Sequence, residues 1–263
     1  MSAAYRNKYG PWALIAGASE GLGAAFATEL ARRGLDLVLL ARRAAALEAL
    51  AVSLRASFGV QVRVAPLDLA SPALLDELRV ATAGLEIGLL VYNAAASLIG
   101  PFLDQPLADK LRILDVNCRG PVILADELGR AMAERGRGGI ILMASIAGAQ
   151  GTALITTYAA SKAFDLVLAE GLWDELRERG VDVLGCRAGA TRTPAYERSR
   201  PAVESGPVME PEAVVVDALA ALGKRPTTVP GLFNGAAAFV MARVLSRRAA
   251  VVTMGRAMRK MYR

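Results

Sequence analysis

Tyr158 and Lys162 stand four residues apart in a segment with the composition of a helix. Residues at this spacing share one helix face, so the phenol and the ammonium can point into the same cleft. A nearby cation favours the phenolate form, which allows a tyrosine to give a proton to a carbonyl oxygen or to take one from an alcohol. The spacing also arises by chance, so the pair indicates acid–base chemistry only together with other groups.

Ser145 ends an apolar run thirteen residues before Tyr158. If that run is a strand of a parallel sheet, the serine lies at the edge where such sheets bind ligands. Its hydroxyl can then polarise the same substrate oxygen that the tyrosine serves. The alternative is an ordinary serine that ends a strand or caps a helix.

Three glycines, Gly17, Gly21 and Gly23, stand between an apolar run and a helical segment in the order G-x-x-x-G-x-G. Glycine allows a sharp turn and lets a pyrophosphate approach bare backbone N–H groups, while the N-terminus of the following helix supplies partial positive charge. A plain turn is the alternative, since the chain has 25 glycines. The position between a strand and a helix favours a dinucleotide site.

Arg42 and Arg43 follow the second apolar run, where an NAD site usually places a carboxylate that binds the ribose hydroxyls. Ala41 offers no such group, and the two guanidiniums can hold a 2′-phosphate through charge-assisted hydrogen bonds. The sequence therefore favours NADP(H) over NAD(H). Two alternatives stand against this hypothesis: Arg43 can be a solvated charge of the next helix, and the carboxylate of Glu20 would repel a phosphate.

The elements that must position these residues alternate between short apolar runs and longer helical segments. The predicted strands are Trp12–Ala16, Leu35–Ala41, Val60–Leu67, Gly88–Tyr92, Gly139–Ala144 and Val181–Arg187. The predicted helices are Leu22–Arg33, Ala44–Ser57, Pro72–Ala83, Leu107–Arg135 and Thr157–Arg179, with Pro211–Leu222 as a last helix. Apolar runs of this kind are typical of strands buried on both faces. The pattern predicts an α/β fold, a Rossmann-type doubly wound parallel sheet, in a single domain over residues 1–263.

Composition excludes several kinds of chemistry. The chain has no histidine, which excludes Ser-His-Asp and Cys-His nucleophile systems and any histidine-ligated metal. Two cysteines, Cys118 and Cys186, are too few for a disulfide framework or a zinc site, and they suit a reducing compartment. No metal is expected. The first eleven residues lack an apolar run, so no signal peptide is expected, and the predicted location is cytoplasmic.

The net charge of +6 is unevenly placed, because nine of the 31 bases and none of the acids lie after Asp217. Residues 1–217 carry the other 22 bases against 25 acids. No recognition motif accompanies the basic tail, so nucleic acid is not an expected partner. Residues 243–263 are basic and amphipathic, with three interpretations open: a solvated helix, a peripheral contact with an anionic membrane, or attraction for an anionic cofactor or acyl-CoA substrate.

Taken together, these residues resemble the short-chain dehydrogenase/reductase family over nearly the whole chain. The resemblance implies catalytic roles for Asn117, Ser145, Tyr158 and Lys162. It implies cofactor contacts for Gly17, Ser19, Gly21, Leu22, Gly23, Arg42, Arg43, Asp68, Leu69, Asn93, Ala94, Tyr158, Lys162, Gly189, Thr191 and Thr193. Asp68 matches the family's adenine-binding aspartate, and Asn117 matches the helix asparagine of its proton relay. The region after the sixth strand, residues 190–263, is implied to cover the substrate.

Three positions depart from the family's pattern. Tyr92 and Ala95 replace an asparagine and a glycine around Asn93-Ala94, and Ala188 replaces the proline before Gly189. None of these changes removes a catalytic group. The segments 9–13 and 84–88 and the basic, methionine-rich C-terminus look like the branch that contains 17β-hydroxysteroid dehydrogenases and very-long-chain 3-oxoacyl-CoA reductases.

The resemblance implies an NADPH-preferring oxidoreductase, a carbonyl reductase or alcohol dehydrogenase. It would transfer a hydride between the nicotinamide and a ketone or secondary alcohol on a hydrophobic, steroid-like or 3-oxoacyl substrate. The alternative is a catalytically silent NADP-binding sensor or scaffold of the same fold. Family members commonly pair through the two long helices, so a homodimer or homotetramer is expected. The tail residues expected to line an apolar pocket or a lid are Leu232, Phe233, Phe239, Val240 and Met241.

Overall fold

The apolar runs pair into one parallel β-sheet in the computed structural model, which describes residues 3–199, 202–203 and 206–262. Within these residues the strands are β1 (Trp12–Ala16), β2 (Asp36–Ala41), β3 (Val62–Pro66), β4 (Ile87–Tyr92), β5 (Gly138–Ser145), β6 (Val181–Ala188) and β7 (Thr227–Thr228). They lie in the order β3-β2-β1-β4-β5-β6-β7, and every pairing is parallel. The order reverses direction between β1 and β4, which opens a crevice at the carboxyl ends of these two strands.

Helices cover both faces of the sheet. In the described residues they are α1 (Ala3–Tyr9), α2 (Gly21–Arg32), α3 (Ala44–Phe58), α4 (Leu74–Thr82), α5 (Leu107–Leu114), α6 (Gly120–Arg135), α7 (Thr156–Arg177), α8 (Pro194–Arg198), α9 (Pro211–Ala221), α10 (Leu232–Phe239) and α11 (Arg247–Tyr262). One apolar layer packs α2, α3 and α9 against the sheet, and the other packs α4, α6 and α7 against its opposite face. The predicted Rossmann-type, doubly wound α/β fold is therefore confirmed.

Two glycines directly follow helices and end them. Gly59 and Gly136 follow α3 and α6 with φ of 67° and 68°, a left-handed conformation that favours glycine because it has no Cβ. Gly34 and Gly180 also have positive φ, two and three residues beyond the ends of α2 and α7 respectively. The predicted strand and helix boundaries agree with the structure to within about two residues.

The predicted helix Leu107–Arg135 is interrupted, and this boundary was wrong. A π-helical turn over Asp115–Arg119 separates α5 from α6. The buried hydroxyl of Tyr92 donates a hydrogen bond of 2.5 Å to the carbonyl of Val116, inside this turn. Pro121, at the start of α6, has no N–H to donate to the preceding turn, and the Tyr92 hydroxyl, on a strand remote in sequence, supplies a donor to that turn instead.

The prediction that Pro211–Leu222 is the last helix was also wrong, because α10 and α11 follow it. Pro230, Gly231 and Gly235 are of types that commonly interrupt helices, so α10 is hard to see in the sequence. Gly231 instead precedes α10 with φ of 81°, and its backbone N–H donates to the Asp217 carboxylate at 3.0 Å. A helix before β1 and a two-residue seventh strand were not predicted either. The N-terminal helix docks through Tyr9, whose hydroxyl donates to Asp182 at 2.5 Å.

Candidate active site

The glycine turn lies between β1 and α2 and folds tightly on itself. The N–H groups of Gly17 and Ala18 donate to the carbonyl of Leu40 at 2.7 and 3.1 Å. Gly17 and Gly21 have φ of 84° and 57°. A Cβ on Gly23 would lie 2.0 Å from the carbonyl oxygen of Gly17, so no larger residue fits there without movement of the backbone. The turn is thus a bare-backbone cradle at the N-terminus of α2, which fits a pyrophosphate.

The end of β4 contacts this cradle directly. The side-chain amide of Asn93 donates to the carbonyl of Gly17 at 3.1 Å, and a Cβ on Gly17 would lie 2.7 Å from the backbone nitrogen of Ala94. The structure therefore brings together the predicted residues Gly17, Gly23, Asn93 and Ala94. The methyl group of Ala95, which departs from the family's glycine, points to an exposed position.

The segment after β6 reaches the other side of the cradle. A Cβ on Gly21 would lie 2.8 Å from the methyl group of Thr193. The Thr193 hydroxyl accepts from the N–H of Tyr196 at 3.1 Å and so caps α8. Thr191 is buried and donates to the carbonyl of Gly189 at 3.0 Å. Of these three predicted residues, Thr193 lies against the glycine turn, and Gly189 and Thr191 lie in the same segment after β6.

Glu20 lies between two arginines at the mouth of the cradle. Its carboxylate accepts from Arg198 on α8 at 2.5 Å and is 2.7 Å from the Arg43 guanidinium, which also donates to the Ser19 hydroxyl at 3.0 Å. Hydrogen bonds from Arg198 and Arg43 hold the pKa of Glu20 below its ordinary value. The negative charge that stood against a phosphate is therefore offset, while Arg42 remains exposed beside it.

Asp68 is already engaged by an arginine that sequence reasoning missed. Its carboxylate accepts from Arg112 on α5 at 2.8 and 3.0 Å and from the N–H of Ala70 at 3.0 Å. Burial raises the pKa of Asp68, but these hydrogen bonds and the charges of Arg112 and Arg42 outweigh it and lower the pKa. Leu69, beside it, is buried in the core. An adenine contact by Asp68 stays a prediction.

Ser145 ends β5, and Tyr158 and Lys162 lie on α7, which packs against that strand. The Ser145 hydroxyl accepts from the N–H of Ala147 at 3.2 Å, so the alternative of a cap serine holds in part. Tyr158 is half-buried, and the ammonium of Lys162 is 6.0 Å from the centre of its ring. Lys162 also donates to the carbonyl of Met143 at 2.7 Å, which ties α7 to the strand that ends in Ser145.

Asn117 joins the π-helical turn to the same place. Its side-chain oxygen accepts from the N–H of Ala96 at 2.7 Å, and its amide donates to the carbonyl of Ala96 and to the Ser161 hydroxyl, both at 2.9 Å. Ser161 in turn donates to the carbonyl of Tyr158 at 2.8 Å. The fully buried Asn117 therefore fixes the loop after β4 against the segment of α7 that carries Tyr158 and Lys162.

Asp165 was missed by the sequence analysis. Its carboxylate lies 2.9 Å from the Lys162 ammonium, and the two side chains are 2% and 3% exposed. Burial raises the pKa of Asp165, and the Lys162 ammonium opposes that rise. The spacing of three residues on one helix was the available signal, but such pairs usually lie on solvated helix faces.

The tail packs beside this cleft. Arg247 donates to the carbonyl of Ala149 at 2.6 Å, and Met258 of α11 is buried. The N–H of Ala202 donates to the carbonyl of Met261 at 3.0 Å. Four of the five predicted lid residues, Leu232, Phe233, Phe239 and Val240, are exposed, so they form a solvent-facing surface here. Arg263, the last base of the tail, lies outside the described residues.

The described ranges contain neither a cluster of metal ligands nor a helix able to span a membrane. In residues 3–199, 202–203 and 206–262, no group of three or more Cys, Asp or Glu side chains is placed to hold a metal ion. Over the same part of the chain, none of the helices combines the length and apolarity needed to cross a bilayer.

The fold and the candidate site together define a class of nucleotide-binding α/β proteins. This class combines a parallel sheet, a glycine cradle, and a serine, a tyrosine and a lysine on β5 and α7. A model of the short chain dehydrogenase family matches residues 11–204. The chain belongs to the short-chain dehydrogenase/reductase family, as the sequence predicted. It is accordingly an oxidoreductase of hydroxyl and carbonyl groups in a family that uses a nicotinamide cofactor.

Three known proteins are similar over most of their length. The 7β-hydroxysteroid dehydrogenase of Clostridium sardiniense is 34% identical over 232 residues, 88% of this chain and 89% of that protein. A structure solved to explain 7β-hydroxysteroid dehydrogenase stereoselectivity has a TM-score of 0.90 at 30% identity and covers 95% of this chain and 98% of its own. A short-chain dehydrogenase from Sphingobium yanoikuyae in complex with NADPH has a TM-score of 0.78 at 34% identity, covering 90% and 97%. The predicted likeness to hydroxysteroid dehydrogenases is confirmed.

Proposed function

We propose that the chain is an NADPH-preferring reductase or dehydrogenase for a ketone or secondary alcohol on a hydrophobic, steroid-like substrate. The observation that carries the proposal is that Lys162, whose ammonium is 6.0 Å from the Tyr158 ring, donates to the carbonyl of Met143, two residues before Ser145 on β5. In this proposal residues 1–263 act as one unit, with residues 190–263 beside the cleft. The relatives named hydroxysteroid dehydrogenases support the substrate class.

The side chains divide the work of moving a proton. A bound nicotinamide cofactor supplies or accepts the hydride. Tyr158 holds a proton on its Oη and gives it to the ketone oxygen, or takes it from the alcohol in the reverse direction. Because the Ser145 oxygen already accepts from Ala147, its own proton is free to donate to the same substrate oxygen. Lys162 places positive charge near the phenol and offers its remaining N–H to the cofactor ribose.

The charges at the mouth of the cradle support NADPH over NADH. Arg42, Arg43 and Arg198 bring three positive charges to a region where Glu20 carries one negative charge. Arg43 and Arg198 form ion pairs with Glu20. Arg42 is exposed and makes no hydrogen bond or ion pair in the described part of the chain. We therefore assign the 2′-phosphate contact chiefly to Arg42, because charge-assisted hydrogen bonds to phosphate are the strong ones.

Arg42→Asp is expected to raise the dissociation constant of NADPH by about 10–100-fold and that of NADH by less than about threefold. The substitution removes a donor to the phosphate and adds repulsion, while NADH has no phosphate at that position. Titration of protein fluorescence with each cofactor measures both constants. Arg130→Asp, at an exposed position of α6, is the matched control. An equal loss for both cofactors would remove Arg42 from the phosphate site.

A panel of ketones and alcohols tests the substrate class. Steroid ketones and alcohols, 3-oxoacyl thioesters and small polar ketones are each supplied with NADPH and with NADH, and cofactor absorbance is followed. Turnover of the steroid group with NADPH supports the proposal, whereas preference for thioesters favours the 3-oxoacyl alternative. Tight cofactor binding without turnover of any compound would instead favour the sensor or scaffold.

We also propose a homodimer or homotetramer that pairs through the outer faces of α5 and α7. An open groove of about 580 Å³ runs along α7 and is lined by Ala160, Ala163, Phe164, Val167, Leu168, Gly171, Leu172 and Glu175. Nearby, Leu107, Leu111 and Leu114 of α5 are exposed. Adjacent exposed apolar side chains of this number are typical of surfaces that associate. Membrane contact through the tail stays a prediction.

Val167→Glu is expected to convert the oligomer to a monomer, because it places a charge in the middle of this apolar face. Light scattering coupled to size-exclusion chromatography measures the mass. The control is Val80→Glu, since Val80 on α4 is 77% exposed and lies away from the face. An unchanged oligomer mass for Val167→Glu would show that the chains pair elsewhere.

A further inference from the structure

The ammonium of Lys162 is held from two sides inside the protein. It donates to the carbonyl of Met143 on β5 at 2.7 Å and to the carboxylate of Asp165 on α7 at 2.9 Å. Both charged side chains are almost fully buried. Two of its three N–H groups are thus committed to the protein, and one remains for another partner.

Lys162 is the ion-pair partner of Asp165, whose side chain has no second hydrogen-bond or ion-pair partner among the described residues. Its second carboxylate oxygen, Oδ1, is buried and makes no hydrogen bond among the described residues. Lys162 is therefore the group that compensates the buried negative charge. An unpaired carboxylate in this position would be costly, so the distance between the two side chains is strongly constrained.

The other titratable groups that face Asp165 are uncharged near neutral pH. Tyr92 on β4 and Cys118 in the π-helical turn face it, and burial raises the pKa of both, that of Cys118 to about 11. On its own helix, Asp165 pairs with Lys162, whose ammonium is 6.0 Å from the centre of the Tyr158 ring. The charge that Tyr158 experiences from this cluster is therefore the sum of one cation and one anion.

We propose that Asp165 is a positioning residue: it fixes the Lys162 ammonium against Met143 and offsets part of the positive charge at Tyr158. This inference rests on the proposed function of Tyr158 as the acid–base group. A lone cation 6.0 Å from the ring centre would favour the phenolate strongly, whereas a cation paired at 2.9 Å with a carboxylate favours it less. Asp165 thereby reduces the positive charge that Lys162 presents to the phenol of Tyr158.

Asp165→Asn keeps the size of the side chain and removes the negative charge. The inflection in the pH profile of kcat/KM for alcohol oxidation is expected to move about one pH unit toward acid, since the uncompensated ammonium favours the phenolate. Asp174→Asn is the control, because Asp174 lies on the exposed side of the same helix. An Asp165→Asn profile that coincides with the wild-type profile would overturn the inference.

Asp165→Glu is the second variant and keeps the charge. It is expected to lower kcat, because the longer side chain displaces the ammonium, while the inflection stays within about a third of a pH unit of the wild type. If Asp165→Asn does not fold, the pH profile of Asp165→Glu alone tests the inference. An inflection that moves toward acid by a full unit in Asp165→Glu would mean that the charge of residue 165 does not set it.

A measurement without substrate separates this inference from the proposed function. Tyrosinate absorbance is recorded against pH for Asp165→Asn and for the same variant with Tyr158→Phe, and the difference reports the ionisation of Tyr158. The wild type and Tyr158→Phe give the reference difference. If the tyrosinate titration shifts toward acid but no alcohol is turned over, the role of Asp165 is supported and the proposed function is contradicted. If Asp165→Asn turns over an alcohol but shifts neither the pH profile of kcat/KM nor the tyrosinate titration, the role of Asp165 is contradicted and the proposed function is not.

Discussion

Tyr158→Phe is expected to lower kcat for ketone reduction by about 10²–10⁴-fold, because the group that transfers the proton is lost while the ring remains. Cofactor affinity should change by less than about threefold, since the phenol is one of many implied cofactor contacts and the cradle of Gly17, Gly21 and Gly23 is unchanged. Steady-state kinetics with an active ketone and a cofactor titration measure both. Because only the hydroxyl is removed, the stability of the fold should be little affected.

Tyr5→Phe is the control for this prediction. Tyr5 lies on α1, away from the cleft, and its buried hydroxyl makes no hydrogen bond among the described residues. Full activity of Tyr5→Phe together with loss in Tyr158→Phe assigns the effect to position 158. Unchanged turnover in Tyr158→Phe for every active ketone would end the acid–base assignment.

Lys162→Met is expected to lower the free energy of unfolding by about 3–5 kcal/mol at neutral pH. The substitution leaves the carboxylate of Asp165 buried without its counter-ion, while the methionine fills nearly the same volume. Activity should fall as well, since the charge beside Tyr158 is lost. Chemical denaturation followed by circular dichroism measures the stability, and Lys224→Met, at an exposed lysine beyond α9, is the control.

The pH dependence of this loss has a definite sign. Burial already raises the pKa of Asp165, and removal of the ammonium takes away the group that opposes the rise. Below the unfolded pKa of about 3.9, the carboxyl is protonated in both states and the deficit is small. As the pH rises from there through the raised folded-state pKa of Asp165, the Lys162→Met variant loses stability relative to the wild type. Above that pKa the difference in stability is constant.

Lys162→Met combined with Asp165→Leu should recover most of the lost stability without recovering activity. Apolar residues of similar volume often replace a buried ion pair at little cost. A Lys162→Met protein as stable as the wild type at neutral pH, or equally destabilised at every pH, would contradict the buried pair as the cause.

The fold was largely predictable because β1, β2, β4 and β5 are almost entirely apolar and buried runs, which are typical of a sheet covered on both faces. The glycine turn, Ser145 and Tyr158 could be placed because parallel strands align their carboxyl ends at one edge. Arg198 and Arg112 were missed because they reach Glu20 and Asp68 across 178 and 44 residues. Only the folded chain makes those distances short.

Asp165 was missed for another reason. Its position relative to Lys162 is visible in the sequence, but the sequence does not say which face of α7 is buried at that point. The helix has charges all around, with Glu170, Asp174 and Arg177 exposed. Which charges meet the sheet depends on packing against β5 and the turn after Ser145. The interruption at Asp115–Arg119 likewise depends on Tyr92, a residue of β4.

Tyr92 and Gly120 constrain each other's substitutions. A Cβ on Gly120 would lie 2.2 Å from the phenol oxygen of Tyr92, which occupies that space to reach Val116. An alanine at 120 therefore requires a smaller residue at 92, and a smaller residue at 92 alone leaves a cavity and an unpaired carbonyl beside Asn117. The two positions can therefore be substituted only together. Such paired substitutions would change the geometry of the π-helical turn while every catalytic residue keeps its identity.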